Sequence, residues 1–257
     1  MDHYNVKKAI LTTINRAKIH KSQKDIASNS DGKDKMTKLL ENFKNIQPKG
    51  QLSHQDVIDI SKKAPERIYK FFWFNPVLKP EEEETSYKIL EEHFNKGFCG
   101  VKIHSAFNLI NFPRDILKLL AFMQDYDKNV LFYIHSLPKT SLFRGIAPKD
   151  IAKVAKKFPD LRIVVGHAAY SMEFAIEIGV ALKNYNNIYF ETSLSASLGI
   201  YNLIKTVGHK KIIFGSDSPT TSQLGVEIDK ILKLPRISKE IKQDILYNNV
   251  NNLLLKF

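Results

Sequence analysis

The chain has 257 residues, 43% hydrophobic and 26% charged, which is enough for a sizeable core and holds no apolar run able to span a membrane. Its single cysteine, Cys99, excludes an internal disulfide, and the N-terminus lacks the apolar stretch of a signal peptide, so a cytoplasmic protein is the simplest expectation. The formal charge is +12, but lysines such as Lys38, Lys88, Lys118, Lys183 and Lys239 are spread over helix faces and turns. With no Arg-rich stripe, this reads as solvated surface that can attract anionic small substrates, and not as a nucleic-acid face.

The first element in the chain is a buried strand at Ala9–Ile14. A polar segment rich in Lys, Asn, Ser and Asp follows at 16–53 and reads as a flexible insertion, with a short helix at Met36–Phe43. From there the chain alternates. The pattern predicts helices at His54–Lys63, Glu81–Lys96, Pro113–Tyr126, Pro148–Phe158, Met172–Tyr185 and Gly199–Val207, and a closing helix at Ser238–Leu255. The intervening strands are Ile68–Phe74, Gly100–His104, Val130–His135, Arg162–His167, Ile188–Thr192 and Lys211–Asp217. Each strand is nearly continuous in apolar residues, as in a parallel sheet covered by helices on its outer face. No glycine-rich loop follows the first strand, which argues against a dinucleotide fold. The expected architecture is α/β: a TIM-type (β/α) barrel forming a single domain over 1–257, with seven recognisable strands where eight complete the fold.

Polar residues fall at the strand ends. His104, His135, His167 and Asp217 each end a strand, and a fifth strand ends at Glu191-Thr192. In a barrel these ends form one mouth. Alternation pairs Tyr133 with His135, Val165 with His167, and Gly215 with Asp217 on common faces. Imidazole nitrogens and a carboxylate are ligands for zinc and similar divalent ions, and a bound ion makes a nucleophile of water near neutral pH. Taken alone, each histidine also fits an ordinary strand-end residue bonded to backbone, and Asp217 fits a helix cap. The three together point to a site. His104 could serve the following turn. Lys102, on the same face, could be an inward charge, an anion contact or a snorkelling surface lysine. His3, His20, His54, His93 and His209 lie in polar or helical context and read as surface. Trp73 reads as core or mouth packing, and Cys99 as an inert buried thiol.

Six segments in order resemble the amidohydrolase-related branch of the amidohydrolase superfamily. They are "VIDISKKAPERIYKFFWFNP", "GFCGVKIHSAFN", "VLFYIHS", "FPDLRIVVGHAAY", "KIIFGSDSP" and "ISKEIKQDILYNNVNNLL". The resemblance implies a metal-dependent TIM-barrel hydrolase or decarboxylase, in which metal-activated water attacks a C–N or C–O bond of a small substrate. It implies His135 as a metal ligand and Asp217 as ligand, proton shuttle or both. His167 would position the attacking water or bind a second metal. Lys102 falls where some superfamily members carry a metal-bridging lysine. Barrels of the branch are often dimers, which implies a homodimer.

Two departures stand out. Ala169-Tyr170 follows His167 where the branch has Gly-Gly. The His-x-His pair of the family's first strand is absent, and "MDHYNVKKAIL" matches the end of the first helix and the second strand. The expectation is therefore either a true start upstream or a degenerate barrel. A degenerate barrel would bind a small molecule or a protein partner without metal catalysis.

Overall fold

The computed structural model describes residues 1–13, 50–127, 129–139 and 145–255. Seven parallel strands form one sheet in chain order: β1 (Ala9–Thr12), β2 (Ile68–Trp73), β3 (Phe98–His104), β4 (Leu131–His135), β5 (Arg162–Gly166), β6 (Ile188–Glu191) and β7 (Ile212–Ile213). The helices between them are α1 (Gln55–Lys63), α2 (Pro80–Asn95), α3 (Leu117–Tyr126), α4 (Pro148–Lys157), α5 (Met172–Leu182) and α6 (Ser197–Val207). The sheet curls into the expected TIM-type barrel and, among the described residues, stays open between β7 and β1. The expected helix Met36–Phe43, His20 and nearly all of the 16–53 insertion lie outside the described residues. Among the described residues no helix is long and apolar enough to cross a membrane.

Strand alternation splits the apolar residues into two cores. Phe72, Val101, Ile103, Phe132, Ile134, Ile163, Val165 and Phe190 face the helices. Phe71, Cys99, Leu131, Val164 and Ile213 face the barrel interior with Tyr69, Tyr133 and Tyr189 packed on them. Fully buried rings such as Phe132 and Phe190 contribute about 2–3 kcal/mol each. Cys99 sits where the β2–β3 register shifts, and burial pushes its thiol up to about 12, as expected of an inert core cysteine.

The end of the chain departs from the expected elements. A further helix, α7 (Leu224–Leu232), precedes the closing segment. That segment is not one continuous helix. It runs as α8 (Lys239–Gln243), a π-helical turn over Asp244–Asn248, and α9 (Asn249–Leu254). The wide turn serves the edge of β7: the Phe214 amide donates to the Ile245 carbonyl (2.9 Å), and Asn249 Nδ2 donates to the carbonyls of His209 and Ile212 (2.7 Å each). One helical carbonyl and one side-chain amide thus satisfy groups that a neighbouring strand would otherwise take. This also explains why β7 is only two residues long instead of reaching Asp217. Leu253 and Leu254 of α9 plug the interior from below. At the same floor Arg162 donates to the carbonyls of Leu253 and Asn129, and Lys8 to Asn251 and the Tyr69 hydroxyl.

His54 is not a surface residue. It is 1% exposed and stacks on Phe72 with ring centroids 4.1 Å apart. Its Nδ1 bonds the Leu52 carbonyl (2.9 Å), and its Nε2 accepts the Trp73 amide (2.7 Å). The imidazole thus extends the β2 ladder one step beyond the last β1 pair, Thr12 with Phe71. His93 is half-buried against His54 and Phe98. His3 lies exposed in a short 3-10 turn (Asp2–Tyr4) before β1, away from the mouth.

Candidate functional site

The C-terminal ends of β2 to β6 carry one buried polar cluster. Register places His104 beside His135, and His135 beside Gly166, so both histidines leave the sheet at the same level. Their rings stack 3.6 Å apart at 16°. Trp73 lies parallel on the other face of His104, at 5.6 Å and 9°. The result is a stack of three nearly parallel rings at the mouth. His104 Nδ1 accepts the Phe107 amide (3.2 Å), the turn-supporting role open to it from sequence. Trp73 Nε1 donates to Asn108 Oδ1 (3.0 Å).

His167 reaches the cluster by a different route from the expected one. Val165, its expected companion, faces the outer core. The strand ends at Gly166, where a Cβ would overlap the Tyr133 hydroxyl, and His167 adopts left-handed backbone (φ 55°). That reversal turns a side chain that simple alternation would send outward into the mouth. There His167 Nε2 lies 2.9 Å from His135 Nδ1, and the ring is fully buried. Its Nδ1 meets the Ser193 hydroxyl (2.8 Å) and carbonyl (3.1 Å).

Glu191 anchors this arrangement. Its Oε2 accepts the Tyr133 hydroxyl (3.0 Å), the Ser193 hydroxyl (2.8 Å) and the His167 amide (3.1 Å), and its Oε1 accepts the Ser193 amide (2.8 Å). Four protein donors thus fill the two carboxyl oxygens. The serine proton then points to Glu191, so the serine oxygens accept from His167 Nδ1–H. This leaves the His167 Nε2 lone pair facing His135. Sequence reasoning placed Glu191 at a strand end but left it out of the site. The position is legible from sequence, whereas its four bonds depend on the following turn and two neighbouring strands. Gly215, two residues past β7, makes room for it, since a Cβ there would overlap the carboxylate.

Lys102 is an inward charge and not a snorkelling surface residue, being 9% exposed. Its Nζ lies 5.2 Å from the Trp73 ring and 5.3 Å from the Tyr133 ring. Burial lowers its pKa, against the pull of Asp217 and Glu191. Burial also holds His135 well below the ordinary imidazole value, helped by His104, His167 and Lys102. His104 is depressed likewise, by burial first and then by Lys102 and His167. Both rings are therefore neutral at pH 7, the form that binds metal. Tyr133 is pushed well above its usual range by burial and the nearby Glu191 and Asp217.

Asp217 sits apart, half-exposed at the rim in left-handed backbone (φ 48°), bonded to the Thr221 hydroxyl. The structure thus joins His104, His135, His167 and Lys102, with Asp217 at the rim, close enough for its charge to act on Lys102 and Tyr133. Among the described residues no group of three or more His, Cys, Asp or Glu converges to hold a metal ion. The donor chemistry fits a divalent ion in part: His135 Nδ1 and His167 Nε2 meet 2.9 Å apart, but two imidazoles fall short of the three protein ligands that zinc usually keeps. Thr12 Oγ1, Ser105 Oγ and Asn108 Nδ2, all at this mouth, are buried without a hydrogen-bond partner.

Comparison with known proteins follows the same lines. The family model described as amidohydrolase matches residues 35–254. A search of curated protein sequences finds no match. Among solved structures, an uncharacterised TIM-barrel protein from Bordetella bronchiseptica aligns over 97% of this chain and 99% of its own, at TM-score 0.68 and 17% identity. A dihydroxybenzoic acid decarboxylase from Polaromonas sp. JS666, with bound manganese and the inhibitor 2-nitroresorcinol, aligns over 98% and 97%, at TM-score 0.65 and 18% identity. A 2,6-dihydroxybenzoate decarboxylase from Rhizobium aligns over 100% and 86%, at TM-score 0.62 and 16% identity. At these identities the likeness is one of fold.

Proposed function

The chain belongs to the amidohydrolase family, and from that premise we propose that it is a divalent-metal-dependent hydrolase or decarboxylase of a small anionic substrate. One observation carries the reading: His135 Nδ1 and His167 Nε2 meet 2.9 Å apart at the barrel mouth, with His135 held neutral by burial. These two histidines would hold the ion, with Asp217 as third ligand or proton carrier. The ion would supply a water of lowered pKa or a polarised substrate oxygen. The chain's own residues prepare the rest. Ser193 and Glu191 fix the tautomer of His167. Lys102 presents a buried cation to an anionic group. Trp73 and His104 stack beside it. Zinc is the first candidate, and manganese, which the Polaromonas structure holds, is the second. The same proposal takes the protein as a cytoplasmic homodimer with a single barrel domain, acting on small molecules and not on nucleic acid.

Calorimetric titration of the purified protein with Zn²⁺ and with Mn²⁺ tests the reading. About one equivalent is expected to bind, with affinity falling about 100-fold in His135→Ala. Less than a tenth of an equivalent, with no thermal shift on adding either ion, sinks it. That outcome would support a second reading, a metal-free barrel that binds a small molecule or a partner. The observation favouring the second reading is that the His135–His167 contact satisfies both nitrogens without an ion.

A further inference from the structure

The floor of the barrel holds a polar cavity that the chemistry of the mouth does not use. Its volume is about 190 Å³, and it lies among the starts of β5 and β6, the turn before β7, and α9. Arg162, Tyr189, Lys210, Asn249, Asn252 and Leu253 line it, with no carboxylate among them. Arg162 is 8% exposed, and its bonds to the carbonyls of Leu253 and Asn129 fix where its charge sits. Lys210 is a largely exposed ammonium bonded to Asp244 (2.7 Å). If it turns to the cavity, Asp244 keeps His209 and Asn248 as partners, and the exposed pair it leaves is of little net worth. The Tyr189 ring packs on the inner core. Among the described residues neither the Tyr189 hydroxyl nor the Asn252 side-chain amide has a hydrogen bond.

The surroundings are positive as well. Residues 156–162, 183–188 and 205–212, which lead into β5, β6 and β7, hold seven Lys and Arg and one acid, Asp160. Of the acids beyond these turns, Asp127 acts on Arg162 from the end of α3, and Asp244 is already bonded to Lys210. A cleft with walls of one sign concentrates ions of the other.

From this arrangement we infer that the floor cavity binds a tetrahedral oxyanion, either inorganic phosphate or the phosphate group of a small monoester. The inference goes beyond the chemistry of the mouth and does not rest on it. Arg and Lys are the side chains that recognise phosphate, Arg through its planar fork and Lys as a point charge. The donors come from four separate elements around the space. A planar carboxylate would meet them in one plane, whereas phosphate presents oxygens on all sides. The bound anion ties β5, β6 and the turn before β7 to α9, which plugs the barrel, so its effect is read as stability of the fold.

Thermal unfolding of the full chain without added metal, at constant ionic strength, tests the site. Phosphate at about ten times its dissociation constant is expected to raise Tm by about 4 °C. Tyr189→Phe removes a hydroxyl without a partner, so the phosphate-free Tm stays within about 1 °C while phosphate affinity falls about tenfold. Lys210→Gln lowers the affinity by about the same factor. Lys102→Met, which removes the cation of the mouth, leaves it within about twofold. Acetate binds at least about tenfold more weakly than phosphate. Glycerol 3-phosphate separates the two sources: binding as tight as phosphate or tighter assigns the site to monoesters, and weaker binding assigns it to the free ion. No shift with either phosphate beyond that of sodium chloride overturns the proposal. So does a shift that survives both floor variants, or one that acetate matches. A shift that Lys102→Met abolishes places the anion at the mouth and overturns it too.

Discussion

The two ends of the barrel treat polar groups in opposite ways. At the floor, buried polar side chains are spent on backbone. Arg162 bonds the carbonyls of Leu253 and Asn129, Asn249 bonds those of His209 and Ile212, and Lys8 ties the start of β1 to α9. At the mouth, three buried polar atoms lack partners, two residues past the strand ends sit in left-handed backbone, and three imidazoles crowd against one another. Unpaired buried groups and strained backbone cost stability, and they persist where something other than stability holds them. The floor thus reads as the part that closes the fold, and the mouth as the part that works.

The largest expected effect tests the floor. Arg162→Met removes a buried guanidinium and strands the carbonyls it serves. It should cost about 3 kcal/mol in urea unfolding, while ion affinity of the folded protein stays within about twofold. If ion binding falls in step with stability, the two ends are one cooperative unit and the division fails.

A smaller effect tests the mouth. Ser193→Ala removes the hydroxyl between Glu191 and His167 but leaves the Ser193 carbonyl for Nδ1–H. Stability should change by less than about 1 kcal/mol. Metal affinity should fall about tenfold, as for other groups that orient a ligand. Nitrogen NMR of the His167 ring should show the Nε2–H tautomer growing at the expense of Nδ1–H. An unchanged tautomer ratio would remove Glu191 and Ser193 from the site's design.

How far the sequence foretold this depends on whether a residue lies within a strand or just beyond one. Inside strands, period two paired Lys102 with His104 and Tyr133 with His135 on common faces, and the structure turns those faces inward, because a pleated backbone keeps such pairs together. Past the strand end that logic lapses. His167 turns inward through its own φ and against the alternation, and Asp217 lies beyond a β7 of two residues. Long-range backbone bonds were the other blind spot. His54 reads as polar and helical locally, and nothing nearby in sequence announces that its Nε2 will accept the amide of Trp73. The π turn at Asp244–Asn248 is set the same way, by carbonyls and amides of a strand edge more than thirty residues earlier.

His54 therefore offers the finest test, because it lies in the outer core behind the mouth and its burial makes it sensitive to pH. Burial depresses it to about 3, with His93 adding to the shift. In the unfolded chain its pKa is near 6.5. The neutral ring's contribution is complete above pH 6.5. As pH falls, the unfolded chain gains a proton that the folded chain refuses, so stability drops from about pH 6.5 until the folded value near 3 is reached. His104 and His135, also depressed by burial, add slope of the same sign at the mouth. Each such group adds at most about 1.4 kcal/mol per pH unit. Urea unfolding from pH 7.5 to 5 should give a flat upper limb and a fall below about pH 6. In His54→Phe the limb should remain and the slope should shrink by about a third, or about 1 kcal/mol at pH 5.5. An unchanged slope would mean that the mouth histidines alone refuse the proton. The acid sensitivity would then belong entirely to the end of the barrel that holds the candidate site.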